Sequence, residues 1–382
     1  MKKTVSLSIA IPGLILALAA CEGVEPELVI TEQEILEAYF SSIAPGLDVS
    51  EEALNIVAPG SPADVYSAEF LERLNRAEAD GLIDSVAISL SFNYLEVPIA
   101  ESEENAQVEE EADPVLEDVS FCFDQSIYPD ANRENFCFVY TNFVFEEDQL
   151  VSFDANGNPI AGQVLLQYFG KHALARPEEK EEALAFAASG SDAEMYILQQ
   201  SQATQAQLDG GSFDASSNDI LFEGDVILAC RGDYMKPDIN RDNYCSEYSN
   251  FEFEADKLST FFAGTSSLDG RLGLGAGEAI DIGNFGTITL LSSYVTIAGD
   301  LWVTAEVSSS TELLNISGWD SAYLGANGRQ VASSGTWGPS ELREGRVGNV
   351  AYTFAGAARG GEIELRFTNQ NWREVSLSIP VP

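Results

Sequence analysis

The chain has 382 residues, and its 62 acidic against 19 basic side chains give a formal net charge of −43 at pH 7. This excess of negative charge argues against nucleic-acid binding, because affinity for nucleic acid rests largely on cations that neutralise phosphates. It equally disfavours adhesion to anionic lipid head groups and is typical of a chain kept soluble by like-charge repulsion. The length is sufficient for about two or three domains.

Residues 1–20 have the pattern of an export signal. Two lysines precede a largely apolar stretch that ends in Leu18-Ala19-Ala20-Cys21. A basic start followed by an apolar run and small residues is typical of secretory signals, and the run is shorter than the roughly 20 apolar residues that span a bilayer. The last four residues resemble the lipobox of bacterial lipoproteins. That resemblance implies lipidation of Cys21 and an extracytoplasmic chain anchored to a membrane of the cell envelope; a plain secretory signal is the alternative.

Residues 21–50 are expected to form a lipid-anchored linker with one short amphipathic helix. Thr31 and Glu34 have the spacing of a capping box, in which each side chain accepts a hydrogen bond from the other residue's backbone N–H. The sequence therefore predicts a helix that begins at this pair.

An internal repeat organises the centre of the chain. Two segments, starting at Cys122 and Cys230, share the pattern C-x6-PD-x-NR-[ED]-N-[FY]-C-x2-Y-x-NF-x-FE-x-D-x-L-x2-F. Self-similarity of this length indicates a duplicated structural unit. The match extends upstream, and the two units are predicted to span residues 51–168 and 181–275.

The repeat also places four cysteines in two pairs of identical spacing, Cys122 with Cys137 and Cys230 with Cys245. An even number of cysteines in an exported chain predicts disulfides. We expect one bond within each unit, which closes a loop of about 15 residues and stabilises a small domain. A redox-active pair would favour a C-x-x-C spacing, which neither unit has.

Each unit is predicted to hold a helix packed against antiparallel strands. Ser61 and Ser191 stand where helix N-caps are expected. Apolar residues that alternate along residues 86–92 indicate a half-buried strand, and Asn156-Gly157 is typical of a tight hairpin turn. A helix against a meander is the natural arrangement, because a hairpin alone is barely stable.

Residues 280–382 contain short β-runs separated by Gly, Asn and Asp, a pattern that predicts a β-sandwich. The segments LWVTAEV, AYLGANGRQV and ELREGRVGNVAYTF, followed by GGEIELRF, resemble immunoglobulin-like domains of uncharacterised bacterial lipoproteins. The duplicated units are similar to those of actinobacterial-type lipoproteins of unknown role. Those lipoproteins carry a G-S-P-A helix start, a cysteine pair and a Y-x-[ND]-F strand. The resemblance implies export, anchoring and fold, and it carries over no functional residue.

The predicted fold class is therefore α+β: two repeated helix-plus-antiparallel-sheet units followed by an all-β immunoglobulin-like sandwich. Catalytic chemistry has little support. The single histidine, His172, lies between the repeats in what we expect to be a solvated linker, and a Ser-His-acid arrangement would need it. No P-loop or nucleophile elbow is present. We therefore predict no catalytic residue, no enzyme activity and no required cofactor, and an envelope hydrolase with a carboxylate pair is the least favoured alternative.

Both cysteine loops carry alternating acids and amides that suggest calcium as an alternative ligand. The residues are Asp130, Asn132 and Glu134 in the first loop, and Asp238, Asn240 and Asp242 in the second. Calcium prefers six to eight oxygen ligands, which such an alternation turns inward. The pattern lacks the glycine and the bidentate Glu of an EF-hand, and each loop has an arginine at its centre, so turn-forming Asp and Asn explain it as well.

The tryptophans are the main indication of binding. Trp319, Trp337 and Trp372 stand in Gly-, Ser- or Asn-rich contexts that predict loops, whereas Trp302 is expected to pack within a strand. Loop aromatics of a β-sandwich could stack on sugar rings or anchor a protein partner, although they could also close the ends of the sandwich. The predicted function is a non-catalytic scaffold or recognition module for a protein or an envelope glycan, with a calcium-binding structural lipoprotein as the alternative.

Overall fold

The computed structural model describes residues 31–43, 56–83, 88–95, 115–123, 137–173, 180–211, 218–223, 225–231 and 245–382. The predicted signal, Cys21 and both Asp/Asn loops lie outside these residues. The described part is an α+β protein in which the strands of every sheet pair antiparallel. Among the described residues, no helix combines the length and apolar character needed to cross a bilayer.

The first unit packs helices on a four-stranded sheet of order β1-β2-β3-β4. Its elements are α1 (Glu32–Ile43), α2 (Pro62–Ala79), β1 (Ile88–Leu95), β2 (Val115–Phe123), β3 (Cys137–Glu146) and β4 (Gln149–Asn156). The predicted capping box is confirmed: the Glu34 carboxylate accepts from the Thr31 N–H at 2.9 Å, and Thr31 Oγ1 accepts from the Glu34 N–H at 3.2 Å. Ser61 Oγ caps α2 by accepting from the Asp64 N–H at 3.3 Å, as predicted.

The second unit repeats this arrangement on a sheet of order β5-β6-β7-β8-β9. Its elements are α3 (Pro159–Ala173), α4 (Lys180–Leu184), α5 (Asp192–Asp209), β5 (Asn218–Glu223), β6 (Val226–Arg231), β7 (Cys245–Glu254), β8 (Lys257–Ala263) and β9 (Ser266–Ser267). Ser191 caps α5 in the same way that Ser61 caps α2. The predicted boundary at residue 168 falls inside α3. That helix contacts α4, α5, β5 and β8, so it belongs to the second unit.

A repeated Tyr-Phe pair shows that the duplication includes α1 and α3. Tyr39 donates to the Ala63 carbonyl at 2.9 Å, and Tyr168 donates to the Ala193 carbonyl at 2.8 Å. The next residue in each helix, Phe40 or Phe169, packs on a tyrosine of the third strand of its unit, with ring centroids 4.7 Å and 4.6 Å apart respectively. The two helices therefore hold equivalent places, which the sequence comparison did not detect.

Non-glycine residues with positive φ form the turn that contains the repeated aspartate of the motif. The β3–β4 turn has Glu147 at φ 48° and Asp148 at φ 59°, and the β7–β8 turn has Ala255 at φ 47° and Asp256 at φ 64°. Two successive residues with positive φ match the twist of a two-residue hairpin. The hairpin expected at Asn156-Gly157 is wrong, because that turn connects β4 to α3.

Both disulfides form within their own unit, which confirms the predicted pairing. Cys122 faces Cys137 across β2 and β3, and Cys230 faces Cys245 across β6 and β7. Each bond joins register partners on neighbouring strands, and each therefore closes the long connection between those strands.

The C-terminal region is β-rich, with one 3-10 turn at Gly283–Phe285, and consists of two antiparallel sheets that share one hydrophobic core. The first sheet contains β10 (Leu272–Leu274), β11 (Ile280–Asp281), β12 (Gly286–Val295), β13 (Leu301–Ser309), β16 (Gly335–Trp337) and β18 (Val347–Phe354). The second contains β14 (Leu313–Leu324), β15 (Gln330–Ala332), β17 (Glu341–Arg343), β19 (Glu362–Asn369) and β20 (Glu374–Pro380). Alternate residues of β13 enter the core, so its other residues form the outer face of the first sheet.

Candidate functional site: the cleft between the second unit and the C-terminal region

Helix α5 joins the second unit to the C-terminal region. One side of the helix contacts β8 of its own unit, and the other contacts β10, β12, β13, β16 and β18 of the first C-terminal sheet. The Gln202 carboxamide oxygen accepts from Ser292 Oγ at 2.6 Å and from Thr304 Oγ1 at 3.0 Å. At the end of the helix, the Asp209 carboxylate accepts from the Asn349 backbone N–H at 2.7 Å. These bonds fix the orientation of the second unit on the sheet.

A cleft of about 250 Å³ lies beside this junction. Its aromatic walls come from both parts of the protein: Tyr196 and Tyr248 from the second unit, Tyr294 and Trp302 from the C-terminal sheet. Polar groups also line it, namely Gln200, Ser246, Glu247 and Thr296. We call this space the junction cleft.

The tyrosines form a connected cluster. The hydroxyls of Tyr196 and Tyr248 lie 3.3 Å apart, and the rings of Tyr196 and Tyr294 meet edge to face at 5.5 Å. Burial raises the pKa of Tyr196 well above its ordinary value. Burial also raises the pKa of Tyr294 to about 12, against an opposing effect of Arg271. Burial thus keeps both phenols protonated to a higher pH than an ordinary tyrosine, and a protonated phenol can donate as well as accept a hydrogen bond.

Arg271 positions Tyr294. Its guanidinium donates to the Tyr294 hydroxyl at 2.9 Å and to the Val295 carbonyl at 2.8 Å, and it also donates to the carbonyls of Ser266 and Ser267. The guanidinium carbon lies 5.1 Å from the centroid of the Tyr294 ring. Arg271 thus ties the end of the second unit to β12, and it holds one wall of the junction cleft in place.

Trp302 lines the junction cleft, whereas its sequence context predicted only packing within a strand. It lies on the outer face of β13, lines the junction cleft, and stacks on Trp337 with centroids 4.8 Å apart and an interplanar angle of 25°. Both side chains are half-buried. The alternation along β13 could have indicated this position, because it puts Trp302 on the other face of the strand from the core residues Leu301 and Val303. The sequence did not say what would cover that face.

Two of the three predicted loop tryptophans are not in loops. Trp337 ends the short strand β16, where Gly335 to Trp337 pair with β18, and Trp319 lies within β14 near a register irregularity. The Gly- and Ser-rich contexts led to the wrong prediction, because backbone pairing with a longer strand outweighs weak local β-propensity. The structure describes only the backbone of Trp319.

Trp372 does lie in a turn, between β19 and β20. Its side chain is 85% exposed, and its backbone has φ 60°. The side chain of Asn369 holds this turn by accepting from the N–H groups of Asn371 and Arg373. A positive φ is unfavourable for a non-glycine residue, so the fold holds the exposed indole of Trp372 in a strained backbone conformation.

The other predicted sites have different outcomes. The six candidate calcium ligands lie outside the described residues, so the calcium hypothesis stays a prediction. Within the described part, no group of three or more His, Cys, Asp or Glu side chains could hold a metal ion. His172 is not in a linker, because its backbone belongs to α3.

Comparison with known proteins adds little. No protein-family model matches the chain, and no curated protein matches it. A crystal structure of a functionally unknown protein from Listeria monocytogenes EGD-e is similar to 29% of this chain and 85% of that chain, at 10% sequence identity and a TM-score of 0.21. A likeness this weak assigns neither fold nor function.

Proposed function

We propose that this chain is a lipid-anchored, extracytoplasmic lipoprotein that acts as a non-catalytic recognition module and binds an envelope glycan in the junction cleft. The anchor follows from the lipobox resemblance at Cys21 and from the resemblance to uncharacterised bacterial lipoproteins. The two C-terminal sheets around one core support the immunoglobulin-like assignment of that region. The two cysteine pairs also support an extracytoplasmic location, because disulfides persist in oxidising compartments.

The composition of the junction cleft carries the ligand assignment. Sugar rings present flat apolar faces that stack on Trp and Tyr side chains, while their hydroxyls need donors and acceptors at the edges. Trp302 supplies a half-exposed indole, and the buried Tyr294, whose hydroxyl accepts from Arg271, lines the same cleft. Gln200 and Glu247 add an amide and a carboxylate at the same cleft.

The number of carboxylates in the cleft favours glycan binding over glycan hydrolysis. Most glycosidases use two carboxyl groups that flank the scissile bond. Among the described residues that line the junction cleft, Glu247 is the one acidic side chain. A single carboxylate is enough to accept hydrogen bonds from sugar hydroxyls.

The test is a glycan-binding measurement on the full-length protein in detergent. Wild-type protein is screened on a glycan array and then in co-sedimentation with isolated envelope polysaccharide. Trp302→Ala is expected to weaken binding by about tenfold or more, because loss of an aromatic stacking surface removes more than 1 kcal/mol. The matched control is Trp372→Ala, which removes an exposed indole that does not line the cleft.

Stability must be separated from binding, because Trp302 also packs on Trp337. Trp302→Phe keeps an aromatic face, and it should retain most of the binding. Tyr294→Phe keeps the ring but removes the hydroxyl that accepts from Arg271, so it should weaken binding and also lower the melting temperature, which makes Trp302→Phe the cleaner variant. The proposal is wrong if no glycan binds, or if Trp302→Ala binds as well as wild type while folded.

Membrane attachment is tested by fractionation of the native host. Cys21→Ala should move the protein from the membrane fraction to the soluble extracytoplasmic fraction, because two acyl chains give stable anchoring and none remain in this variant. Continued membrane association of Cys21→Ala would contradict the anchor.

The exposure of Trp372 favours a protein partner as a second candidate. Indoles dominate the binding energy of many protein interfaces, and this one stands almost entirely in solvent. Crosslinking in the native host, followed by mass spectrometry, should identify a reproducible partner that Trp372→Ala loses and Trp302→Ala keeps. The reverse pattern would assign the partner to the junction cleft instead.

A further inference from the structure

A second cavity, of about 440 Å³, lies within the second unit between α3 and the strands β5 to β7. None of its lining residues lines the junction cleft. Three phenylalanines, Phe222, Phe251 and Phe253, line it together with Leu165 and Ile227. We call it the phenylalanine cavity. Its volume is within the usual range for small-molecule sites.

The two duplicated units differ in sequence at the lining of this cavity. When the Tyr-Phe pair of α3 is aligned with that of α1, Ala161 and Gly162 stand where α1 has Glu32 and Gln33. Ala161 and Gly162 both line the phenylalanine cavity. The first unit thus has long side chains at two positions where the second unit has small residues that line the cavity.

The charge around the cavity is negative. Asp225 is exposed and lines the cavity, and it is the one charged residue among the described lining residues. Arg73 donates to the lining residue Asn158 at 2.7 Å, but its guanidinium is already paired with the Asp256 carboxylate at 2.6 Å. Asp225 therefore sets the charge that a ligand meets at this cavity.

We propose that the phenylalanine cavity binds an alkylammonium group. The electron-rich faces of phenyl rings attract cations, and sites that recognise quaternary ammonium groups are built from aromatic rings. The Asp225 carboxylate adds an attractive charge at this cavity. The methyl groups of an alkylammonium also bury apolar surface against Leu165 and Ile227. An anionic ligand would be repelled by Asp225, so a free alkylammonium compound fits better than a phosphocholine head group.

The first measurement uses choline and its uncharged isostere, 3,3-dimethyl-1-butanol. Both are titrated into the full-length protein in detergent, with ligand-observed NMR and calorimetry as readouts. Choline should bind saturably with one site per chain. The isostere has the same shape without the charge, so it should bind about tenfold more weakly. Phosphocholine should also bind more weakly than choline.

Two variants locate the site. Gly162→Leu adds a side chain at the cavity lining and should weaken choline binding by about tenfold or more, since 1.4 kcal/mol is one such factor. Gly170→Leu is the matched control: it lies in the same helix, and a Cβ there meets no atom within 4 Å. Both changes replace a helix-interior glycine, so neither should lower helix stability. Asp225→Asn should reduce the preference for choline over its isostere.

Several results would overturn the proposal. These are an absence of saturable choline binding, equal binding of choline and its isostere, or equal weakening by Gly162→Leu and Gly170→Leu. Stronger binding of phosphocholine than of choline would contradict the charge argument. Glycan binding at the junction cleft is measured separately, so failure of either proposal leaves the other unaffected.

Discussion

Arg73 and Asp256 join the two units across 183 residues of chain. Arg73 Nη2 and Nε donate to Asp256 Oδ1 at 2.6 and 2.9 Å, and Nε also lies 3.2 Å from Oδ2. Asp256 is in the β7–β8 turn, and its side chain is 10% exposed. The corresponding Asp148, in the β3–β4 turn of the first unit, has the same backbone conformation but is exposed. The duplication therefore provides one aspartate inside an interface and one outside it.

Asp256→Asn should destabilise the protein, while Asp148→Asn should be nearly neutral. Loss of a charge-assisted pair with Arg73 costs about 2 kcal/mol, whereas an exposed turn residue contributes little. Asn also accepts a positive φ, so the turns themselves should survive. Urea denaturation of both variants measures the difference. Equal effects of the two substitutions would show that the pair with Arg73 adds nothing.

The contact between Gly210 and Gly338 should make the end of α5 intolerant of a side chain. A Cβ at Gly210 would lie 2.9 Å from backbone atoms of Gly338, and Gly210 itself has an ordinary helical backbone. Gly210→Ala should therefore cost about 1 to 3 kcal/mol through overpacking. Gly170→Ala, with free space around its Cβ, should not destabilise. Tryptophan fluorescence suits the measurement, because all four tryptophans are in the C-terminal region. A Gly210→Ala protein as stable as Gly170→Ala would argue that this contact is loose.

Each disulfide should stabilise its own unit by a similar amount. The two bonds join cysteines 15 residues apart, and a loop of that length corresponds to about 3 kcal/mol of lost unfolded-state entropy. The double variants Cys122→Ser/Cys137→Ser and Cys230→Ser/Cys245→Ser should each have a lower melting temperature than the wild type. In each variant, a reductant should then act only on the disulfide that remains. Non-reducing peptide mapping of the wild type should find no bond between the two units.

Calcium should leave the melting temperature unchanged. Arg133 and Arg241 put a cation at the centre of each Asp/Asn loop, and neither loop has the bidentate Glu of an EF-hand. The comparison is a melt in millimolar calcium against a melt in EDTA. An upward shift in calcium, lost in Asp130→Asn and Asp238→Asn, would revive the calcium-binding alternative, because a ligand that binds only the folded state raises stability by mass action.

Features that depend on a few neighbouring residues could be predicted from the sequence. The Thr31 and Glu34 capping box, the Ser61 and Ser191 caps and the two disulfides depend on spacing within one segment or one repeat. The β-rich character of the C-terminal region follows from its short runs and turn residues. Local sequence is sufficient for these because the interacting groups are close along the chain.

The junction cleft, the phenylalanine cavity and the Arg73–Asp256 pair required the tertiary structure. Strand alternation puts Trp302 on the face opposite the core, but only the packing of α5 on that sheet decides whether the face meets water or protein. Likewise, α3 belongs to the second unit because its buried Tyr168-Phe169 pair fits that sheet, and no pattern within α3 names the sheet it will contact. Long-range contacts of this kind depend on which apolar faces find each other when the whole chain folds, and the sequence of one element does not contain that information.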